Sequence, residues 1–184
     1  MRFVDTALEG VTVVELEPHA DERGFFARSW CEREAAAHGL RMGSVQCNIS
    51  FNRSKGTLRG MHYQAPPFEE AKLVRCTAGA LYDVAVDIRP DSSTFGRHVA
   101  VELTAQNRRM LYIPSGCAHG FMTLADDTEV FYQMSAAHAP ELSRGFRWDD
   151  PLFALEWPLK VAVISARDRS YPAFVAPATG SPVR

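Results

Sequence analysis

Arg59 and His62 stand three residues apart in the stretch "RGMHYQ", inside a segment that otherwise reads as a buried β framework. A histidine there has three readings. It is a packed core imidazole, a metal ligand, or a catalytic base working near neutral pH. Two other histidines invite the same question. His119 follows "PSGCA" at the end of a strand, and His138 lies in the loop before Pro140. No serine sits in a G-x-S-x-G elbow, so a hydrolytic triad has little support.

A metal reading draws on "IPSGCAHGF", a Pro-x-Gly turn followed by a histidine that looks like the second half of a cupin motif. The first half of a metal-binding motif needs a His-x-His pair and a downstream Glu. Here it reads His62-Tyr63-Gln64, and an amide is a poor ligand for borderline divalent metals. Two histidines with Glu69 or Glu70 make an incomplete set for a catalytic metal. A third candidate is cationic: Arg23 in "DERGFF", Arg59, and Lys72 in "EEAKLV". Taken singly, each reads as a solvated surface charge. Brought together they would clamp a diphosphate, since arginine forks grip such oxygens in pairs.

The elements that must position these groups are strands. "KLVRCTAGALYDVAVDI" reads as two strands about a turn at Ala78-Gly79, and "GRHVAVELTAQN" puts Val99, Val101 and Leu103 on one face. "GVTVVELEP", "RRMLYIPSG" and "TEVFYQMS" are further short runs bounded by turn residues. Without long helices between them, they predict an all-β sandwich or barrel. One helix is expected in "SWCEREAAAHGL", with Ser29 as cap, Glu32 as its capping-box partner and Gly39 as the stop. Period two then assigns faces. Tyr82, Val84, Val86 and Ile88 oppose Leu81, Asp83, Ala85, Asp87 and Arg89, and two carboxylates on so apolar a strand need partners if enclosed. Val130, Tyr132 and Met134 share a face, as do Leu58, Gly60, His62 and Gln64 opposite Arg59, Met61 and Tyr63.

Composition narrows the function classes. The 184 residues are read as one domain, residues 1–184, with a frayed tail over 175–184. The formal net charge of −2 carries no basic stripe, so nucleic acid is not an expected partner. Cys31, Cys47, Cys76 and Cys117 are scattered, which fits reduced thiols and a cytoplasmic location. The N-terminus lacks an apolar signal region, and no run approaches the ~20 apolar residues of a membrane span.

Taken together, "DERGFF", "QCNISFNRSKGTLRGMHYQ", "KLVRCTAGALYDVAVDIRPDSSTFG", "YIPSGCAHGF", "RGFRWDDPLFALEWP" and "SARD" resemble, in order, the dTDP-4-dehydrorhamnose 3,5-epimerases. These are sugar-nucleotide epimerases of the cupin superfamily, and the resemblance runs from Val11 to Pro172. It implies a double-stranded β-helix (jelly roll) and a homodimer in which N-terminal strands cross to the partner. It also implies epimerisation at C3, C5 or both of a nucleotide-diphosphate 4-keto-6-deoxyhexose, without metal or redox cofactor. By the same resemblance His62 matches the base and Asp168 the carboxylate that orients it. Tyr132 matches the acid on the opposite sugar face, and Lys72 the cation near the C4 oxygen. Arg23, Phe26, Arg28, Gln46, Asn48, Arg59, His119 and His138 fall at substrate-contacting or pocket-lining positions, and Asp83 at a further polar position of the pocket.

Several residues depart from the family pattern. Arg28 stands where a glutamate is usual and His19 where an aromatic is common. Gln133, His138, Cys117 and Arg167 replace a lysine, a tyrosine, a phenylalanine and a lysine. These departures leave open a 3- or 5-monoepimerase and another nucleotide carrier. A metal-dependent cupin oxygenase or isomerase and a catalytically silent sugar-binding cupin are the alternatives from other classes.

Overall fold

The computed structural model describes residues 1–176. Its strands are β1 (Arg2–Asp5), β2 (Thr12–Glu15), β3 (His19–Asp21), β4 (Gly24–Phe26), β5 (Gln46–Asn52), β6 (Thr57–Gln64) and β7 (Lys72–Ala78). They continue as β8 (Ala80–Asp87), β9 (His98–Thr104), β10 (Met110–Ile113), β11 (Cys117–Thr123), β12 (Thr128–Met134), β13 (Ser143–Gly145) and β14 (Val163–Ile164). Two short helices, α1 (Glu32–Ala37) and α2 (Ala166–Ser170), and a single 3-10 turn at Pro140–Leu142 complete the list among the described residues. One sheet runs β1-β2-β10-β7-β12-β5 and a second runs β13-β6-β11-β8-β9, with β14 beside β6. The two sheets enclose a common interior, as the all-β jelly-roll expectation requires. The tail reading for 175–184 falls largely outside the described residues; Val175 and Ala176 are irregular.

Alternation builds the layers. Leu81 and Ala85 of β8 join Val74, Cys76, Leu103, Leu111, Ile113, Cys117, Phe121 and Val130 in the lumen core. Val84, Val86 and Ile88 point outward into a second cluster with Met61, Phe146 and Phe153. Each fully buried side chain of this kind contributes about 1.5–3 kcal/mol. The two carboxylates of β8 do find partners. Asp83 meets the His119 ring at 2.7 Å. Asp87 accepts from Arg89 Nε, Ser92 Oγ and Thr94 Oγ1 at 2.9, 2.5 and 2.6 Å.

The two strands about the Ala78-Gly79 turn are found as expected; they do not pair with one another, because β7 enters the first sheet and β8 the second. Gly79 marks the crossing: its φ is +75° and an added Cβ would lie 2.4 Å from Thr128 Oγ1. The structure corrects two local expectations. Ser29 does not cap the helix. α1 starts after Cys31, whose side chain makes no capping bond, and Glu32 is its first residue. The helix holds instead by packing Ala35 with Leu40, Met42, Leu73 and Met110 on the outer face of the first sheet. Second, strict alternation fails in β6. His62 pairs with His119 and Arg59 with Phe121, so three steps along β6 match two along β11. That bulge turns Arg59 and His62 to the same side. Gly60 (φ +144°) lies at its centre, where a Cβ would be 2.7 Å from Gly120 Cα.

Candidate active site

A cavity of about 260 Å³ opens between the sheets, lined by Asn48 and Ser50 (β5), Arg59 and His62 (β6), Lys72 (β7), His119 and Phe121 (β11) and Tyr132 (β12). The bulge in β6 is what lets Arg59 and His62 share it. His62 is partly open, its side chain 36% exposed, while its Nε2 lies 2.7 Å from Asp168 Oδ1.

Asp168 reaches that position by a chain of local devices. β14 lies parallel to β6, with Val163 beside Thr57 and Ile164 beside Leu58. Ser165 follows and caps α2, its hydroxyl accepting from Asp168 N at 3.0 Å. The Asp168 carboxylate is thereby free to turn inward, where Oδ2 accepts from Gly60 N at 3.2 Å. Burial opposes ionisation of Asp168, but the His62 hydrogen bond and charge, aided by Gly60 and Ser165, prevail and hold it below the usual carboxylate range. An ionised carboxylate only accepts, so Nε2 carries the imidazole proton and Nδ1 keeps the basic lone pair. Tyr171 packs edge-on against the His62 ring, with centroids 5.9 Å apart.

Tyr132 stands on the opposite sheet. Burial first, and then the Asp83 charge, push its phenol well above the ordinary range, against a Ser50 hydrogen bond and the Arg59 charge. It is therefore held as a proton donor at neutral pH. His119 lies edge-on to it, with centroids 6.1 Å apart. Lys72 Nζ lies 3.0 Å from Glu70 Oε1 and 3.5 Å from the His62 carbonyl. Arg59 Nε donates to Asn52 Oδ1 at 2.8 Å. Gln46 donates to Asn48 Oδ1 at 3.1 Å and accepts from His138 N at 3.0 Å. His138 itself lines a second cavity of about 210 Å³ with His62, Glu70 and Arg167.

Gln64, the residue at the metal-motif position, is committed elsewhere. Its amide nitrogen donates to the Phe68 and Ala137 carbonyls and its oxygen accepts from Ala139 N. It staples the loop after β6 to the loop after β12. Among the described residues no three His, Cys, Asp or Glu side chains are arranged to hold a metal ion.

Gln46 and His138 are absent from the lining of the 260 Å³ cavity, and three more expected contact residues, Arg23, Phe26 and Arg28, lie apart from it. Arg23 pairs with Asp21 and Arg28 with Glu34, and Phe26 is 75% exposed. They belong to the β3–β4 hairpin and the residues just after it, apart from the two large sheets. Sequence reading gave no role to Ser50, Tyr171 or the Glu70 contact. Ser50 was legible as the residue two beyond Asn48 on one strand face. Tyr171 and Glu70 sit outside strands, where period two is silent.

The dTDP-4-dehydrorhamnose 3,5-epimerase family model matches residues 5–176. The dTDP-4-dehydrorhamnose 3,5-epimerase of Sinorhizobium fredii (strain NBRC 101917 / NGR234) is 41% identical over 175 residues, covering 95% of this chain and 90% of that protein. Among solved structures, the dTDP-4-dehydrorhamnose 3,5-epimerase of Elizabethkingia anophelis NUHP1 superposes with a TM-score of 0.91 at 36% identity, over 95% of this chain and 96% of that one. The Bacillus anthracis enzyme of the same name, solved with TDP and PPi bound, gives 0.90 at 35% identity, over 94% and 99%.

Proposed function

The chain belongs to the dTDP-4-dehydrorhamnose 3,5-epimerase family, and from that premise we propose that His62 and Tyr132 invert C3, C5 or both of a dTDP-linked 4-keto-6-deoxyhexose by proton transfer through an enolate. The enzyme is an isomerase. The observation that carries the mechanism is the placement of His62 and Tyr132 on opposite sheets of one cavity, with Lys72 in the same lining.

A C–H beside a ketone is weakly acidic. His62 Nδ1 removes that proton from one face, and Asp168 stabilises the resulting imidazolium. The electron pair moves to the C4 oxygen, beside which the Lys72 ammonium acts as the oxyanion partner. Tyr132 returns a proton from the other face, so the centre inverts. Each turnover leaves His62 with one proton more and Tyr132 with one fewer, and exchange with solvent resets both. Arg59 reaches toward the diphosphate.

The molecule works as a homodimer in this reading. Ile49 and Phe51 on the outer face of the first sheet are 65% and 52% exposed, and nearby Arg75 Nε and Gln133 Oε1 are buried without a hydrogen-bond partner. A partner subunit covers that face, and hairpin exchange brings Arg23, Phe26 and Arg28 to the partner's cavity. The cytoplasm suits the four free cysteines; no helix among the described residues is long and apolar enough to cross a membrane.

Incubation with the 4-keto sugar nucleotide in heavy water tests the reaction. Deuterium enters C3, C5 or both, and His62→Ala abolishes the exchange. Tyr132→Phe retains exchange at a carbon while losing inversion there. Absence of exchange by the intact protein with every nucleotide form would sink the reading. Sedimentation equilibrium tests the dimer: Ile49→Asp with Phe51→Asp yields monomers, and a monomeric parent protein refutes the assembly.

A further inference from the structure

We propose that Glu70 is a positioning residue that holds the Lys72 ammonium in place and aimed into the cavity, an inference that rests on the epimerase reading for its catalytic consequence. Lys72 opens β7, and its Nζ is 3.0 Å from Glu70 Oε1, the two side chains being 8% and 9% exposed. Its remaining polar contact is the His62 carbonyl at 3.5 Å. The charged or titratable groups around it are otherwise Arg59 and His62 from β6, His119 from β11 and Tyr132 from β12. Asp168 and Asp83 are each engaged with a histidine ring. On the β10 side Lys72 pairs with apolar Ile113, and its β12 partner is Met134. Glu70 is thus the carboxylate in direct contact with the ammonium.

An ammonium on a flexible four-carbon stem stabilises an enolate oxygen only when it is held beside that oxygen, and an enclosed cation needs a counter-charge. Glu70 supplies that counter-charge from a fixed position. Gln64 holds the preceding backbone at Phe68. Ser135 holds the following residue, its hydroxyl accepting from Ala71 N at 2.7 Å and its own N–H donating to Ala71 O at 3.0 Å. The carboxylate lies in a short pinned loop and not on a mobile tether. It also lines the second cavity with His138 and Arg167, so it forms part of the wall between that cavity and the lumen.

The sequence makes the test direct, because the lysines are Lys55, Lys72 and Lys160 alone. Protein carrying 13Cε-lysine is examined by NMR at neutral pH without substrate, and Lys72→Arg assigns the Lys72 signal. In Glu70→Gln that signal moves while those of Lys55 and Lys160 stay, and Glu70→Asp restores part of the difference. In deuterium-exchange kinetics Glu70→Gln lowers kcat by about tenfold with little change in KM. An unmoved Lys72 signal in a folded Glu70→Gln protein overturns the inference, as does a moved signal with kcat intact. A parent protein with no exchange activity would refute the epimerase reading alone, since the NMR comparison needs no substrate.

Discussion

Replacing Asp168 by Asn isolates the charge behind the proposed base. The side chains are nearly the same size, Asp168 is 4% exposed, and the site is closed by Gly60 and Ser165, so shape is preserved. What is lost is the ionised acceptor 2.7 Å from His62 Nε2. A hydrogen bond to a charged group contributes about 1.5–3 kcal/mol, and imidazolium stabilisation is felt mainly as the proton leaves carbon. At about 1.4 kcal/mol per tenfold, kcat falls by roughly tenfold to 150-fold. The assay is deuterium incorporation followed by NMR from acid to neutral pH. There is a stability counterpart. Asp168 is held below its unfolded value, so its contribution is full above the unfolded pKa near 3.9 and is lost as pH falls through the folded one. The parent is therefore more stable than Asp168→Asn at neutral pH, and the gap closes in acid. A loss of less than about threefold in kcat would refute the claim that Asp168 acts through His62.

Three other perturbations probe the frame around the site. Gly60→Ala puts a Cβ 2.7 Å from Gly120 Cα at φ +144°, and a loss of at least about 2 kcal/mol in urea unfolding is expected; a loss near zero would show that the bulge tolerates a side chain. Gln64→Ala removes the staple between two loops and leaves Ala139 N without its partner, costing about 1–3 kcal/mol, with faster amide exchange at Ala139 as the local readout. Asp87→Asn tests the Arg89 cluster. Burial there disfavours the charge, but the bonds from Arg89, Ser92 and Thr94 bring the carboxyl down to about 2 from 3.8. That difference amounts to about 2 kcal/mol of stability, present above pH 4 and lost as pH falls through about 2, so acid unfolding of the variant is flatter over that window.

Period two was enough to put Asp83 and Asp87 on one face of β8 and to require partners for them if enclosed, because alternation in a strand is a local property of the backbone. The same rule put Val130 and Tyr132 on one face, and both point inward. It failed at β6, where a bulge is invisible to alternation and depends on Gly60 and Gly120 meeting across two strands. The capping pattern at Ser29 also misled. α1 is held by packing against the first sheet, which no local signal reports.

By itself, then, the order of residue types determined strands, faces and, through ordered family motifs, the residues proposed as base, acid and orienting carboxylate. Only the tertiary structure decided that Arg59 and His62 look into one cavity. Only it brought Asp168 to His62 from 106 residues away and set Glu70 against Lys72. Those outcomes depend on register between strands and on where a short helix docks. Both are fixed by packing between distant segments, for which the sequence carries no local period.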